Sequence, residues 1–213
     1  ADTVKIRVGG LPVNPTGTLR YGLTFSPDGL YNEYREDCHV LRDSEKLTLE
    51  SITDIEKIIF EETGDMEAFN TSGGISNTLD SMMARGVKNC DYKTIRFPGH
   101  ADLIRFMLFE CRMTRDTFSE AVLNACGFIT EDQVLISIDV SDSASGRSWT
   151  MKSRVLHGDN FTAMQKTTGF GAAAVAAILG NGILDGKSAI HYEDIPTDEF
   201  SENLTRLIPE IKL

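Results

Sequence analysis

No apolar run in the 213 residues approaches the ~20 residues that a membrane-crossing helix needs, so no membrane association is expected. Cations are also short: 21 Lys and Arg stand against 32 Asp and Glu, a formal net charge of -11. That balance repels a phosphate backbone overall and argues against a nucleic-acid partner. The four cysteines, Cys38, Cys90, Cys111 and Cys126, share no CxxC spacing, so reduced buried thiols are expected, with no metal site. Ala1-Asp2-Thr3-Val4 has neither the basic start nor the apolar core of a signal peptide; a cytoplasmic location is the expectation. A dinucleotide-binding strand–GxGxxG–helix unit is missing from the N-terminal region. The nearest match, Gly169-Phe170-Gly171-Ala172-Ala173-Ala174, follows a polar, helix-like stretch and not an apolar strand. It is expected to lie within or beside a helix and to touch no nucleotide.

With 41% hydrophobic residues the chain can build one good core. Val4–Val8 alternates with period two and reads as a strand. Ser26-Pro27 is a helix start, Ser as N-cap and Pro at the first helical position. Cys38–Leu41 and Lys46–Glu50 form a hairpin across Asp43-Ser44-Glu45. Glu56–Phe60 is a strand, and Ser76–Arg85 a helix stopped by Gly86. Asp91–Phe97 is a strand, followed by a helix through Phe109, then a helix over Thr117–Ala125. Gln133–Val140 and Arg147–Leu156 form a second hairpin. An Ala-rich helix covers about Ala163–Leu179, and a last one starts near Pro196 with Phe200, Leu204 and Leu207 on one face. Hairpins with inserted helices and no βαβ rhythm predict an α+β fold with a mixed, largely antiparallel sheet and helices on one face. The other face is then free for a second copy, and a homodimer is expected.

The most informative stretch is Lys93-Thr94-Ile95-Arg96-Phe97-Pro98-Gly99-His100. It predicts a strand that stops at Pro98-Gly99 and hands over to a helix near His100. Free N–H groups at a helix start attract anions, and a guanidinium fork such as Arg96 grips a carboxylate in a bidentate way. His100 is placed to hydrogen-bond a ligand or to transfer a proton near neutral pH. Lys93, three residues before Arg96, points to the opposite sheet face if the strand is regular. The same residues also read as a plain strand–turn–helix with a surface Arg and a capping His.

This segment resembles the RYPGH-type motif of the saccharopine dehydrogenase and lysine 6-dehydrogenase family. Other stretches resemble family segments in the same order. Val8–Pro15 is similar to the GGLP segment, and Phe25–Tyr34 to the helix that follows. Glu67–Gly74 is similar to a turn rich in Phe, Thr and Gly, and Thr167–Ala173 to the TTGFPAA helix, with Gly171 where Pro is usual. The resemblance implies that residues 1–213 are a substrate-binding and dimerisation domain of the glyceraldehyde-3-phosphate dehydrogenase C-terminal type. Segment 160–213 would pack back on an N-terminal Rossmann cofactor domain absent from this sequence. It implies an NAD(P)-dependent oxidoreductase acting on a C–N bond of an amino acid. NAD or NADP would be held by the full-length enzyme and not by this chain alone, which is expected to be inactive.

An amino-acid substrate of that kind presents a carboxylate and amines. Arg96 is the candidate for the carboxylate and His100 the candidate catalytic group. Thr71 with the Gly73-Gly74 turn offers a hydroxyl and N–H groups, Tyr34 and Glu33 would meet an amine, and Gly9-Gly10 lets backbone approach the ligand. A carboxyspermidine-type dehydrogenase domain and a non-catalytic assembly module of the same fold are the alternatives.

Overall fold

The computed structural model describes residues 1–75, 78–184 and 190–212. One mixed sheet organises them. Strand β1 (Thr3–Pro12) runs through the middle, parallel to β6 (Asn89–Arg96) and antiparallel to β7 (Asp132–Asp142), which pairs with β8 (Arg147–Leu156). The free edge of β6 is shared. Near its start it meets β2 (Cys38–Arg42) through Leu41 and Cys90, and β3 (Glu45–Leu49) follows outside β2. Further along it pairs with β5 (Gly64–Asn70), which carries β4 (Glu56–Phe60). The α+β fold with a mixed, largely antiparallel sheet is as the hairpin rhythm predicts; β1–β6 is a parallel pair. Strand β5 is a departure, because its polar start, Gly64-Asp65, conceals the strand and residues 67–74 read as a turn.

Helices pack on one face. Helix α1 (Pro27–Arg35) is capped by Ser26, whose hydroxyl accepts from the Gly29 amide at 3.0 Å. It buries Leu30 and Tyr34 in a core with α3 (His100–Arg105) and α4 (Arg115–Cys126). Helix α2 (Thr78–Ala84) covers the β2–β6 end through Leu79; its predicted start at Ser76 lies outside the described residues. At the other end, α5 (Ala163–Gln165), α6 (Gly171–Gly180) and α7 (Thr197–Leu207) pack on Val134 and Val155. On α7, Leu204 is buried but Leu207 is exposed, and Ile208 just beyond the helix takes the inner place.

Two predicted continuous helices are each interrupted by a π-helical turn, at Phe106–Glu110 after α3 and at Lys166–Phe170 between α5 and α6. In the second, the Thr167 hydroxyl bonds the Ala163 carbonyl at 3.0 Å, a local competitor for the helical ladder. Gly169 and Gly171 lie inside this helical stretch, not at a strand-to-helix turn, so the GxGxxA string offers no pyrophosphate cradle.

The helix-free face is not simply open. The β4–β5 hairpin curls across it and buries Phe60, Met66 and Ala68 against Leu11, Ile95 and Leu135. Lys152 on β8 reaches the Ile59 carbonyl at 2.8 Å, across the curl. Outside that small core, Arg7, Asp91 and Lys93 occupy this face.

Candidate functional site

Alternation along β6 puts Tyr92, Thr94 and Arg96 toward the helices and Asp91, Lys93 and Ile95 on the opposite face. Each side has a concavity. The helix-free side has one of about 350 Å³ walled by Arg7, Arg42, Asp54, Glu56, Asp91 and Lys93. Lys5 also lines it and, among the described residues, makes no ion pair; the other charges are paired. Arg7 bonds Glu56 and Asp91, Arg42 bonds Asp91 at 2.6 Å, and Lys93 bonds Glu56 at 2.9 Å. Burial pushes the Asp91 and Glu56 carboxyls up, yet these cations hold both below their ordinary values. Such a closed network offers little to a ligand.

The helix side holds a cleft of about 450 Å³, whose walls include Gly10, Glu33, Gly73, Gly74, Thr94 and Arg96. Arg96 is buried, 2% exposed. Its Nε donates to the Tyr34 hydroxyl at 2.7 Å, its Nη1 to the Ile95 carbonyl at 2.9 Å, and its Nη2 reaches Glu33 at only 3.4 Å. Among the described residues, these contacts engage three of the five guanidinium N–H groups. The guanidinium also lies 4.9 Å from the Tyr21 ring centroid and 5.6 Å from that of Tyr34.

Behind Arg96 the proton direction is dictated. A guanidinium can only donate, so the Tyr34 oxygen accepts from it. The one phenolic proton then points to His100 Nε2, 3.0 Å away. His100 Nδ1 carries the ring proton and donates to the Leu19 carbonyl at 3.1 Å. Burial, reinforced by the positive Arg96, lowers the His100 pKa to about 3, and burial pushes the Tyr34 phenol well above its ordinary range. His100 is therefore a neutral, buried group behind the cleft wall.

Glu33 is held from the other side. Thr94 Oγ1 donates to its carboxylate at 2.6 Å, and Thr71 Oγ1 lies 2.7 Å from Thr94 Oγ1. Because the Thr94 proton goes to Glu33, Thr71 donates to Thr94. Of the candidates from sequence, Gly10, Glu33, Gly73, Gly74 and Arg96 line the cleft; Tyr34, Thr71 and His100 lie behind its wall. Glycine at Gly9 is a close-approach requirement, whereas at Gly10 a flexible side-chain end would have to move. A Cβ at Gly9 would overlap the Ile95 backbone, and one at Gly10 would overlap the Met164 methyl.

The helix N-terminus is a correction. Gly99, at φ 90°, opens α3, and the Glu67 carboxylate accepts from the Gly99 and Ala101 amides at 2.9 and 2.7 Å. The expected anion site is filled by the protein's own carboxylate, because pairing Glu67 with Arg96 across β5 and β6 carries it there. Thr94 and Tyr92 are wall residues not among the sequence candidates, although period-two alternation puts them on the face of Arg96. Met164 and Phe25, which also line the cleft, carry no such signal.

A protein-family model described as the saccharopine dehydrogenase C-terminal domain matches residues 1–210. The fold is similar to that of apo histidine-tagged saccharopine dehydrogenase (L-Glu forming) from Saccharomyces cerevisiae, with a TM-score of 0.68 over 96% of this chain. Identity is 11%, so that likeness concerns the fold, and the chain spans 64% of the length of that structure. The motif order and the matched family together establish that this chain belongs to the saccharopine dehydrogenase C-terminal domain family.

Proposed function

We propose that this chain is the substrate-binding part of an NAD(P)-dependent oxidoreductase acting on a C–N bond of an amino acid. The observation that carries the reading is the pair on the cleft wall, a buried Arg96 with unspent donors beside a Glu33 carboxylate. A zwitterionic head fits that pair: its carboxylate completes the guanidinium fork and its ammonium meets Glu33. Thr71, through Thr94, keeps Glu33 oriented. Tyr34 and His100 are assigned a positioning role, holding the Nε side of Arg96 so that its remaining N–H groups face the ligand. Gly10 lets the Met164 methyl approach the sheet at the cleft wall. NAD or NADP, when bound, would supply the hydride chemistry; the reading puts that group on an N-terminal Rossmann domain outside this sequence, against which segment 160–213 would pack, and the helical placement of Gly169–Gly171 is consistent with it. A homodimer belongs to the same reading and is checked by light scattering across micromolar concentrations.

The test is steady-state kinetics of the full-length protein with L-saccharopine and L-lysine, each with NAD and with NADP. Turnover that depends on Arg96 supports the reading. An unchanged kcat/KM in Arg96→Ala, with a native circular-dichroism spectrum, removes Arg96 from the site.

A further inference from the structure

Tyr92 shares a face of β6 with Thr94 and Arg96, and the pleat turns all three side chains to the same cleft. The Gly73-Gly74 turn fixes its ring. A Cβ at Gly74 would overlap three carbons of the Tyr92 ring, Cδ1, Cε1 and Cζ, almost equally, so the glycine backbone packs on the face of the phenol. Gly73 needs glycine for its own backbone, with φ 81°. Gly74 has no left-handed φ; what it must leave room for is the ring. The turn is thus a seat for Tyr92. The hydroxyl at the end of the ring lies by Thr94, whose own proton is spent on the Glu33 carboxylate. Burial pushes the phenol up to about 12, helped by the Glu33 charge and opposed by Thr94, so Tyr92 keeps its proton near neutral pH. Thr94 and Glu33 can both accept that proton and offer none in return. The phenolic proton therefore turns to them, and the oxygen lone pairs remain for the cleft. Donors at Arg96 face acceptors at Glu33 and Tyr92.

We propose that Tyr92 is a second ammonium-binding residue: its phenolic oxygen accepts an N–H of the ligand's ammonium beside the Glu33 carboxylate, and Gly74 seats the ring for that contact. This rests on the reading that the cleft takes an amino-acid head with its ammonium at Glu33. An ammonium carries several N–H donors, and in a cleft closed to water each needs an acceptor. Glu33 takes one and Tyr92 another. The contact is direct, so Tyr92 acts on the ligand and not only by orienting Glu33.

The experiment is steady-state kinetics of the full-length protein with L-saccharopine and L-lysine. Tyr92→Phe keeps the ring on Gly74 and removes only the oxygen. KM is expected to rise about 10- to 150-fold, the range of a hydrogen bond to a charged group, with kcat little changed. In a Glu33→Gln background Tyr92→Phe should still raise KM, though less, because both groups hold one ammonium. Gly74→Ala pushes the ring off its seat and should lose as much as Tyr92→Phe. Added to Tyr92→Ala, which leaves room for the methyl, it should cost nothing further. An unchanged KM in Tyr92→Phe, with turnover still dependent on Arg96, overturns the inference and leaves the amino-acid head standing. A fall in kcat at constant KM would make Tyr92 a proton-transfer group, and a Tyr92→Phe effect that vanishes in Glu33→Gln would make it a prop of Glu33; either overturns the direct contact. An equal cost of Gly74→Ala with and without the Tyr92 ring overturns the seat. Turnover indifferent to Arg96→Ala, or no turnover of either substrate, overturns both the inference and the reading beneath it.

Discussion

Two arginines on neighbouring strands, Arg7 on β1 and Arg96 on β6, are each 2% exposed but live on opposite faces of the sheet. Arg7 is locked between the carboxylates of Asp91 and Glu56. Arg96 has a phenol, a carbonyl and one carboxylate at 3.4 Å. The difference separates a cation whose partners close its shell from one with donors left over. Where opposite charges close the shell, the guanidinium ties strands together. Where neutral acceptors hold one side, charge and donors remain for a ligand. Concavity alone does not make the distinction, since both arginines line one.

The largest expected effect would sharpen that contrast. Asp91→Ala leaves Arg7 buried with one carboxylate fewer, and breaking such a buried pair costs about 3–5 kcal/mol. Urea unfolding should show this loss, whereas ligand affinity at the Arg96 cleft should be unaffected under conditions where the variant is folded. A stability change below about 1 kcal/mol would erase the structural assignment of Arg7.

Arg96→Ala should reverse the pattern. Loss of a buried charge-assisted contact is worth roughly 1.5–3 kcal/mol, which is about a 10- to 150-fold fall in kcat/KM. Arg96→Lys should recover part of it, since an ammonium lacks the fork. Full recovery would mean that charge alone matters.

The props behind Arg96 make a pH prediction. The folded His100 pKa of about 3 lies below the ordinary imidazole value of 6.5, so below pH 6.5 the unfolded chain binds a proton that the folded chain refuses. Stability contributed by neutral His100 is present above pH 6.5 and falls with pH, by about 1.4 kcal/mol per unit at the steepest. The depressed carboxyls Asp91 and Glu56 add their losses below their ordinary values of 3.8 and 4.5. Denaturation between pH 6.5 and 4.5 therefore isolates His100, and His100→Gln should flatten the slope there. In kinetics, His100→Gln should raise KM more than it lowers kcat; a dominant kcat loss would return His100 to proton transfer.

The smallest effect concerns the start of α3. Glu67→Ala removes the carboxylate that caps Gly99 and Ala101 and should cost about 0.5–2 kcal/mol, as helix caps do. KM for a carboxylate substrate should stay constant. A change in KM of tenfold or more would restore the helix N-terminus as the anion site.

Much of this protein was written locally. Ser26-Pro27 starts a helix because a hydroxyl and a fixed φ suit its first turn. Pro98-Gly99 ends β6, and period two puts Arg96 opposite Lys93; short-range sterics and the pleat suffice for each. The order of the motifs pointed to the family before any contact was known. Partnership was not local. Tyr34 reaches Arg96 across 62 residues, Glu67 reaches Ala101 across 34, and Met164 meets Gly10 from the far end of the chain. His100 read as a proton-transfer group because a free imidazole titrates near neutrality; that burial beside a guanidinium pushes its pKa down to about 3 is a tertiary effect. The curl of β4–β5 likewise follows from long-range packing. Residue types and periods carry the chemistry that is available; which groups are desolvated, already paired or left with spare donors depends on segments distant in sequence, and that pairing belongs to the tertiary fold.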